Sequence, residues 1–164
     1  MASTAAQAAV SAPARRSAGA VLKLTRRFRA SPARVFRAFT DLATLQKWWG
    51  PKGFTLPKAR LDPRPGGTYR FDMHAPSGSV HVLTGTFREV VAPQRLVYSW
   101  AWMDGEKIGP ETLVTIEFLA WGNGTEVRLV HERFPGAASR NSHRGGWSQC
   151  FDRLGALLRG RAVH

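Results

Sequence analysis

The sequence predicts an α+β domain in which two short helices and one long C-terminal helix lie against a curved antiparallel sheet of about six or seven strands. Three observations lead there. Between residues 54 and 134 apolar and polar residues alternate in short runs separated by Gly, Pro and Asn turns, the period of half-buried strands. Val35, Phe36, Phe39 and Leu42 instead recur at helical spacing. Near the end Trp147, Cys150, Phe151, Leu154, Leu157 and Leu158 fall on one face, with Ser148, Gln149, Asp152, Arg153 and Arg159 on the other. That is an amphipathic helix long enough to cross a sheet.

The elements follow in order. Leu22, Leu24 and Phe28 alternate with Lys23, Thr25, Arg27 and Arg29, so the first strand is half-buried, and Arg26 breaks its pattern. Ser31-Pro32 reads as a helix cap followed by proline at the first helical position. Thr40-Asp41 caps a second short helix through Leu42, Leu45 and Trp48, which Gly50-Pro51 ends. A meander follows. Phe54–Leu61 turns at Pro65-Gly66-Gly67 into a strand with Tyr69, Phe71 and Met73 on one side and Arg70, Asp72 and His74 on the solvated other. Pro76–Gly78 turns into Val80–Val90, and Pro93-Gln94 leads to Leu96, Tyr98, Trp100 and Trp102. Thr112–Leu119 and Thr125–Phe134 flank Gly122-Asn123-Gly124, a strong hairpin signal. Gly145-Gly146 stands where the last helix is expected to start, leaving room for backbone or ligand to approach.

Composition bounds the function. The 164 residues fit one domain, with 43% apolar residues for its core. No run approaches the ~20 apolar residues that span a bilayer, so membrane insertion is not expected. Cys150 is the single cysteine, which precludes an intrachain disulfide and suits a reducing compartment. The formal charge is +13, but residues 1–64 carry 13 Lys/Arg against Asp41 and Asp62, whereas the remainder is nearly balanced. The excess is mostly arginine in an Ala- and Gly-rich chain. Lys23, Arg27 and Arg29 on the first strand and Lys52, Lys58 and Arg60 on the next lack interleaved aromatic platforms. Weak binding to any polyanion is expected from charge alone, and no specific nucleic-acid partner. Residues 1–20 are small and non-periodic and read as a disordered tail, residues 21–160 as one domain, and residues 161–164 as a disordered end. The tail lacks the apolar segment of a secretory signal, so a cytoplasmic location is expected. A mitochondrial presequence shares its Ser- and Arg-rich, acid-poor composition and stays open.

The motifs together resemble a known family. "SPARVFRAFTD" from Ser31, "WWGP" from Trp48, "PGGTYRFDM" from Pro65, "GTFREVVAPQRLVYSW" ending at Trp100, "GTEVRLVHERF" from Gly124 and "GGWSQCFDRLGALL" from Gly145 stand in order. Over residues 21–159 the chain is similar to the helix-grip fold of the START-like (SRPBCC) superfamily. The branch it resembles is named for the C-terminal domain of the activator of the ninety-kilodalton heat-shock-protein ATPase. The resemblance implies a space between the long helix and the concave sheet that holds apolar molecules. Members act as carriers, as cyclases or aromatases, or as co-chaperones. The founding co-chaperone has a further N-terminal domain that engages the chaperone; here the tail occupies that place, which argues against chaperone activation.

Chemistry narrows the candidates. No G-x-S-x-G elbow occurs, and Cys150 sits on an apolar helix face where an inert buried thiol is expected. His74, His81, His131, His143 and His164 show no metal-binding spacing, so no metal or other cofactor is expected. His131 follows Val127 and Leu129 in phase and so points inward, either as a hydrogen-bonded core histidine or as a general base facing a ligand. The aromatics carry the strongest hint. Trp100, Trp102 and Trp147 all have phases directed at the helix–sheet space, joined by Phe71, Met73, Tyr98 and Phe151, and Trp49 is counted with them as a ligand-binding candidate. Such walls suit a small apolar or aromatic ligand held by burial and ring packing. A binding module is therefore expected, with a cyclase- or dehydratase-like enzyme using His131 and a co-chaperone-like interaction protein as alternatives. Both monomer and homodimer stay open.

Overall fold

The computed structural model describes residues 19–164, so the expected tail lies almost wholly outside the described residues. Strand β1 (Ala20–Phe28) is followed by helices α1 (Pro32–Thr40) and α2 (Leu42–Trp48). Then come β2 (Thr55–Leu61), β3 (Thr68–His74), β4 (Val80–Val91), β5 (Arg95–Asp104), the two-residue β6 (Lys107–Ile108), β7 (Thr112–Trp121), β8 (Gly124–Phe134) and α3 (Ala137–Leu158). All strand pairs are antiparallel, in the order β1-β8-β7-β5-β4-β3-β2, with β6 paired to the end of β5. The α+β helix-grip architecture is as expected. The sheet has seven long strands and one short one, because the Asp104–Pro110 connection folds back as β6.

Local chemistry sets the helix ends. Ser31 Oγ accepts from the Arg34 N–H at 3.2 Å and Pro32 opens α1. Asp41 caps α2 by accepting from the Thr44 N–H at 3.1 Å and the Thr44 hydroxyl at 2.6 Å, bonds that hold its carboxyl below the usual carboxylate range. Helix α3 corrects the sequence reading. It begins at Ala137, a good two turns earlier than expected, so Gly145 and Gly146 lie inside it rather than at its start. The exposed turns from Ala137 to Gly145 carry Ser, Asn, Arg and Gly, with no apolar stripe to announce a helix. Its fully buried residues begin only at Trp147.

The core lies between the concave sheet face and the helices. Phe39 packs edge-on against Trp48 and Phe118, and the Trp48 indole donates to the Ala38 carbonyl at 2.9 Å. Gly85 lets the Tyr69 ring cross β4, since a Cβ there would stand 2.6 Å from that ring; the Tyr69 hydroxyl then donates to Ser99 O at 2.7 Å. Arg26, the residue out of pattern in β1, reaches α3 instead of solvent. It donates to Asp152 at 2.8 Å and its guanidinium lies 5.9 Å from the Phe151 ring centre, tying strand to helix. On the opposite sheet face Arg70 and Asp72 are half-buried and paired at 3.0 Å. Residues 161–164, expected as a loose end, are irregular; Val163 packs on the core and the His164 carbonyl accepts from the Gly53 N–H at 2.8 Å.

Candidate functional site

The interior between α3 and the sheet divides at Trp49. On one side Tyr69, Phe71, Phe87, Leu96 and Tyr98 leave a void of only about 10 Å³, which is filled core. On the other side a cavity of about 250 Å³ opens. Trp49 borders both, its ring 5.2 Å from Phe71, 6.0 Å from Trp100 and 5.6 Å from Trp147. Trp49, Met73, Trp100, Trp147 and Cys150 form the buried floor, Phe54 and Trp102 half-buried walls, and His81 and Ser142 an exposed rim. Pro51, His143 and Gly146 complete the lining. Among the described residues no Asp, Glu, Lys or Arg side chain lines it.

Hydrogen bonds fix the aromatic walls. The Trp147 indole donates to His131 Nδ1 at 3.1 Å, so the neutral ring carries its proton on Nε2, 2.7 Å from Thr112 Oγ1. Thr112 in turn donates to the Trp100 carbonyl at 3.1 Å. Both His131 nitrogens are thus engaged, and burial, then the neighbouring His143, lowers its pKa to about 3. His143 is used the same way: Nδ1 donates to Ser139 O at 2.7 Å, and Nε2 accepts from the Trp102 indole at 3.0 Å. Two indoles of the lining differ. Nε1 of Trp49 and of Trp100 is buried with no acceptor among the described residues. An unmet buried donor costs about 1–3 kcal/mol. Burial pushes the Cys150 thiol up to about 12, so it is an inert neutral surface here.

Arg153 holds the loop after α2 against α3. Its guanidinium donates to the carbonyls of Trp49 at 3.0 Å, Gly50 at 2.9 Å, Pro51 at 3.3 Å and Phe54 at 3.0 Å. Lys52 N–H adds a bond to Gln149 Oε1 at 2.9 Å. These contacts place Trp49, Pro51 and Phe54 at the cavity.

Fold and sequence then find their relatives. The family model described as Activator of Hsp90 ATPase homolog 1-like protein matches residues 29–159, most of the chain. The chain belongs to this family. Among solved structures it is similar to a protein of Chromobacterium violaceum at 32% identity and a TM-score of 0.76, covering 84% of this chain and 96% of that one. It is also similar to an AHSA1 protein of Silicibacter pomeroyi at 27% identity and a TM-score of 0.80, covering 85% and 98%. No curated protein matches. Among the described residues no helix is long and apolar enough to cross a membrane, and no group of three or more His, Cys, Asp or Glu residues is placed to hold a metal ion.

In this family member the expected ligand-binding residues part into two groups. Trp49, Met73, Trp100, Trp102 and Trp147 line the cavity. Phe71, Tyr98, His131 and Phe151 do not: Phe71 and Tyr98 belong to the filled half, and His131 and Phe151 stand behind Trp147. Sequence reasoning missed Pro51, Phe54, His81, Ser142 and His143 as lining, and read Cys150 only as an inert buried thiol; Gly146, expected to leave room for a ligand, does border the cavity. His143 lies one helical turn before Trp147, so extending the α3 period backwards would have found it. Phe54 and Pro51 depend on Arg153, and no sequence spacing announces that contact.

Proposed function

We propose that the chain is a non-enzymatic binding module that encloses a small apolar or aromatic molecule between α3 and the sheet. The cavity of about 250 Å³ with indole walls carries this reading. An apolar cavity of ~150 Å³ already takes up benzene. This one has room for one or two rings, and burying such a ligand contributes several kcal/mol at about 25 cal/mol per Å². Membership of a START-like family, whose fold suits a ligand-binding module, supports the same reading. Against catalysis stands the chemistry of the lining, where His143 has both nitrogens engaged and the Cys150 thiol stays protonated. His131, the acid–base candidate of the enzyme reading, is engaged on both nitrogens behind Trp147. A cytoplasmic setting belongs with this proposal, in keeping with the lone Cys150.

Native mass spectrometry of the purified protein tests it. The expected result is a retained small molecule, or one- and two-ring compounds that add mass and raise the melting temperature. A bare protein whose melting temperature no such compound moves would overturn the reading.

A further inference from the structure

The binding-module reading says that the pocket holds a ligand; the polar atoms around it say more about which. Among the described residues no carboxylate, ammonium or guanidinium lines the cavity, so a charged ligand would enter an apolar site without a partner there. The two ring nitrogens best placed to accept are already used: His131 Nδ1 takes the Trp147 N–H, and His143 Nε2 takes the Trp102 N–H. Among the buried polar side-chain atoms of the lining, those left unmet are donors, the indole N–H groups of Trp49 and Trp100, on residues only 3% and 6% exposed. Their ring centroids stand 6.0 Å apart, and both rings border the same cavity.

Resting on that reading, we propose that the ligand is an uncharged, flat molecule of one or two rings that bears a hydrogen-bond acceptor such as a ketone carbonyl, received by the indole N–H groups of Trp49 and Trp100. Ring faces of Trp100, Trp102 and Trp147 hold its apolar body, and the acceptor satisfies donors that the protein itself leaves empty-handed. Both nitrogens lie beneath the surface a water molecule touches, so binding includes a small turn of one indole or both. That turn makes tryptophan emission a direct readout.

The test is a matched pair of probes titrated by calorimetry and tryptophan fluorescence: 2-acetylnaphthalene and its hydrocarbon isostere 2-isopropenylnaphthalene, with 2-naphthoate as the charged control. The ketone is expected to bind about three- to tenfold more tightly than the hydrocarbon, the range of one or two modest hydrogen bonds, and naphthoate more weakly than either. The variant W49F/W100F keeps aromatic walls but removes both donors. It is expected to bring the ketone-to-hydrocarbon ratio to about one, whatever the smaller rings do to both affinities together, and a cooperative thermal unfolding transition reports that the variant is folded. Equal affinities in the parent protein, a ratio that survives the double substitution, or tightest binding of naphthoate overturns the acceptor proposal and leaves the binding module standing. Binding of none of the three overturns both.

Discussion

The Trp147 indole donates to His131 Nδ1 across 3.1 Å, which fastens α3 to β8 and leaves His131 no free nitrogen. This contact gives His131 a structural role: it orients the indole that floors the cavity. Replacing it by Phe keeps a ring beside Trp100 and Phe134 but strands the Trp147 N–H. His131→Phe is expected to lose about 1–3 kcal/mol in urea unfolding and to change ligand affinity little. A variant of unchanged stability and much weaker binding would restore His131 as a ligand-contacting base.

The same residue sets a pH dependence. Burial keeps His131 neutral, its folded pKa about 3 against an unfolded 6.5. Below the unfolded value only the unfolded chain takes up this proton. The stabilisation is therefore fully present above that pH and is lost as pH falls from about 6.5 towards 3, at up to ~1.4 kcal/mol per unit. Urea midpoints measured across this window should fall more steeply in the parent protein than in His131→Phe. Parallel curves would mean that the histidine is charged in the folded state.

Inside α3, a Cβ added to Gly145 would meet nothing within 4 Å, and a Cβ on Gly146 would meet only Pro51 Cγ at 3.9 Å. Neither glycine is required by space. Gly145→Ala and Gly146→Ala should each stabilise the helix by about 0.5–1 kcal/mol, measured as a raised melting temperature. Loss of stability in either would show that the first turns of α3 are not helical in solution.

Arg153 is expected to matter through the loop it holds. Arg153→Met removes one donor from four carbonyls, of which that of Pro51 keeps the Phe54 N–H, and should cost about 2–3 kcal/mol. Hydrogen exchange of residues 49–54 should rise beyond what that loss explains. Arg153→Lys should rescue little, because a single ammonium cannot reproduce the planar fork. Full rescue by Lys would reduce the contact to simple charge.

How far the sequence carried varies by element. Strand β3 was legible because one of its faces is buried, and burial imposes a period of two on Tyr69–Met73. Strand β5 was legible from large rings alternating with Ser99 and Ala101, although both its faces are buried from Leu96 to Ala101. The buried half of α3 was legible for the same reason as β3. Its first turns were not, since Ala137–Gly146 buries little and carries no period. Of the site, the residues with inward phase were found, but phase cannot tell a cavity wall from filled core. Phe71 and Met73 share a face of β3, yet only Met73 lines the cavity, because Trp49 stands between the two halves. The position of Trp49 depends on Arg153, a contact 104 residues apart in the chain.

The most direct measurement of the central claim is calorimetric titration of 2-acetylnaphthalene into the parent protein and into Cys150→Leu. Cys150 lines the floor, and Leu there extends a branched side chain into the cavity. The expected result is micromolar binding to the parent, at least tenfold weaker binding to Cys150→Leu, and a melting temperature in the variant equal to or above that of the parent. Equal affinity for both proteins would contradict the account, because the ligand would then be bound somewhere other than the space beneath α3.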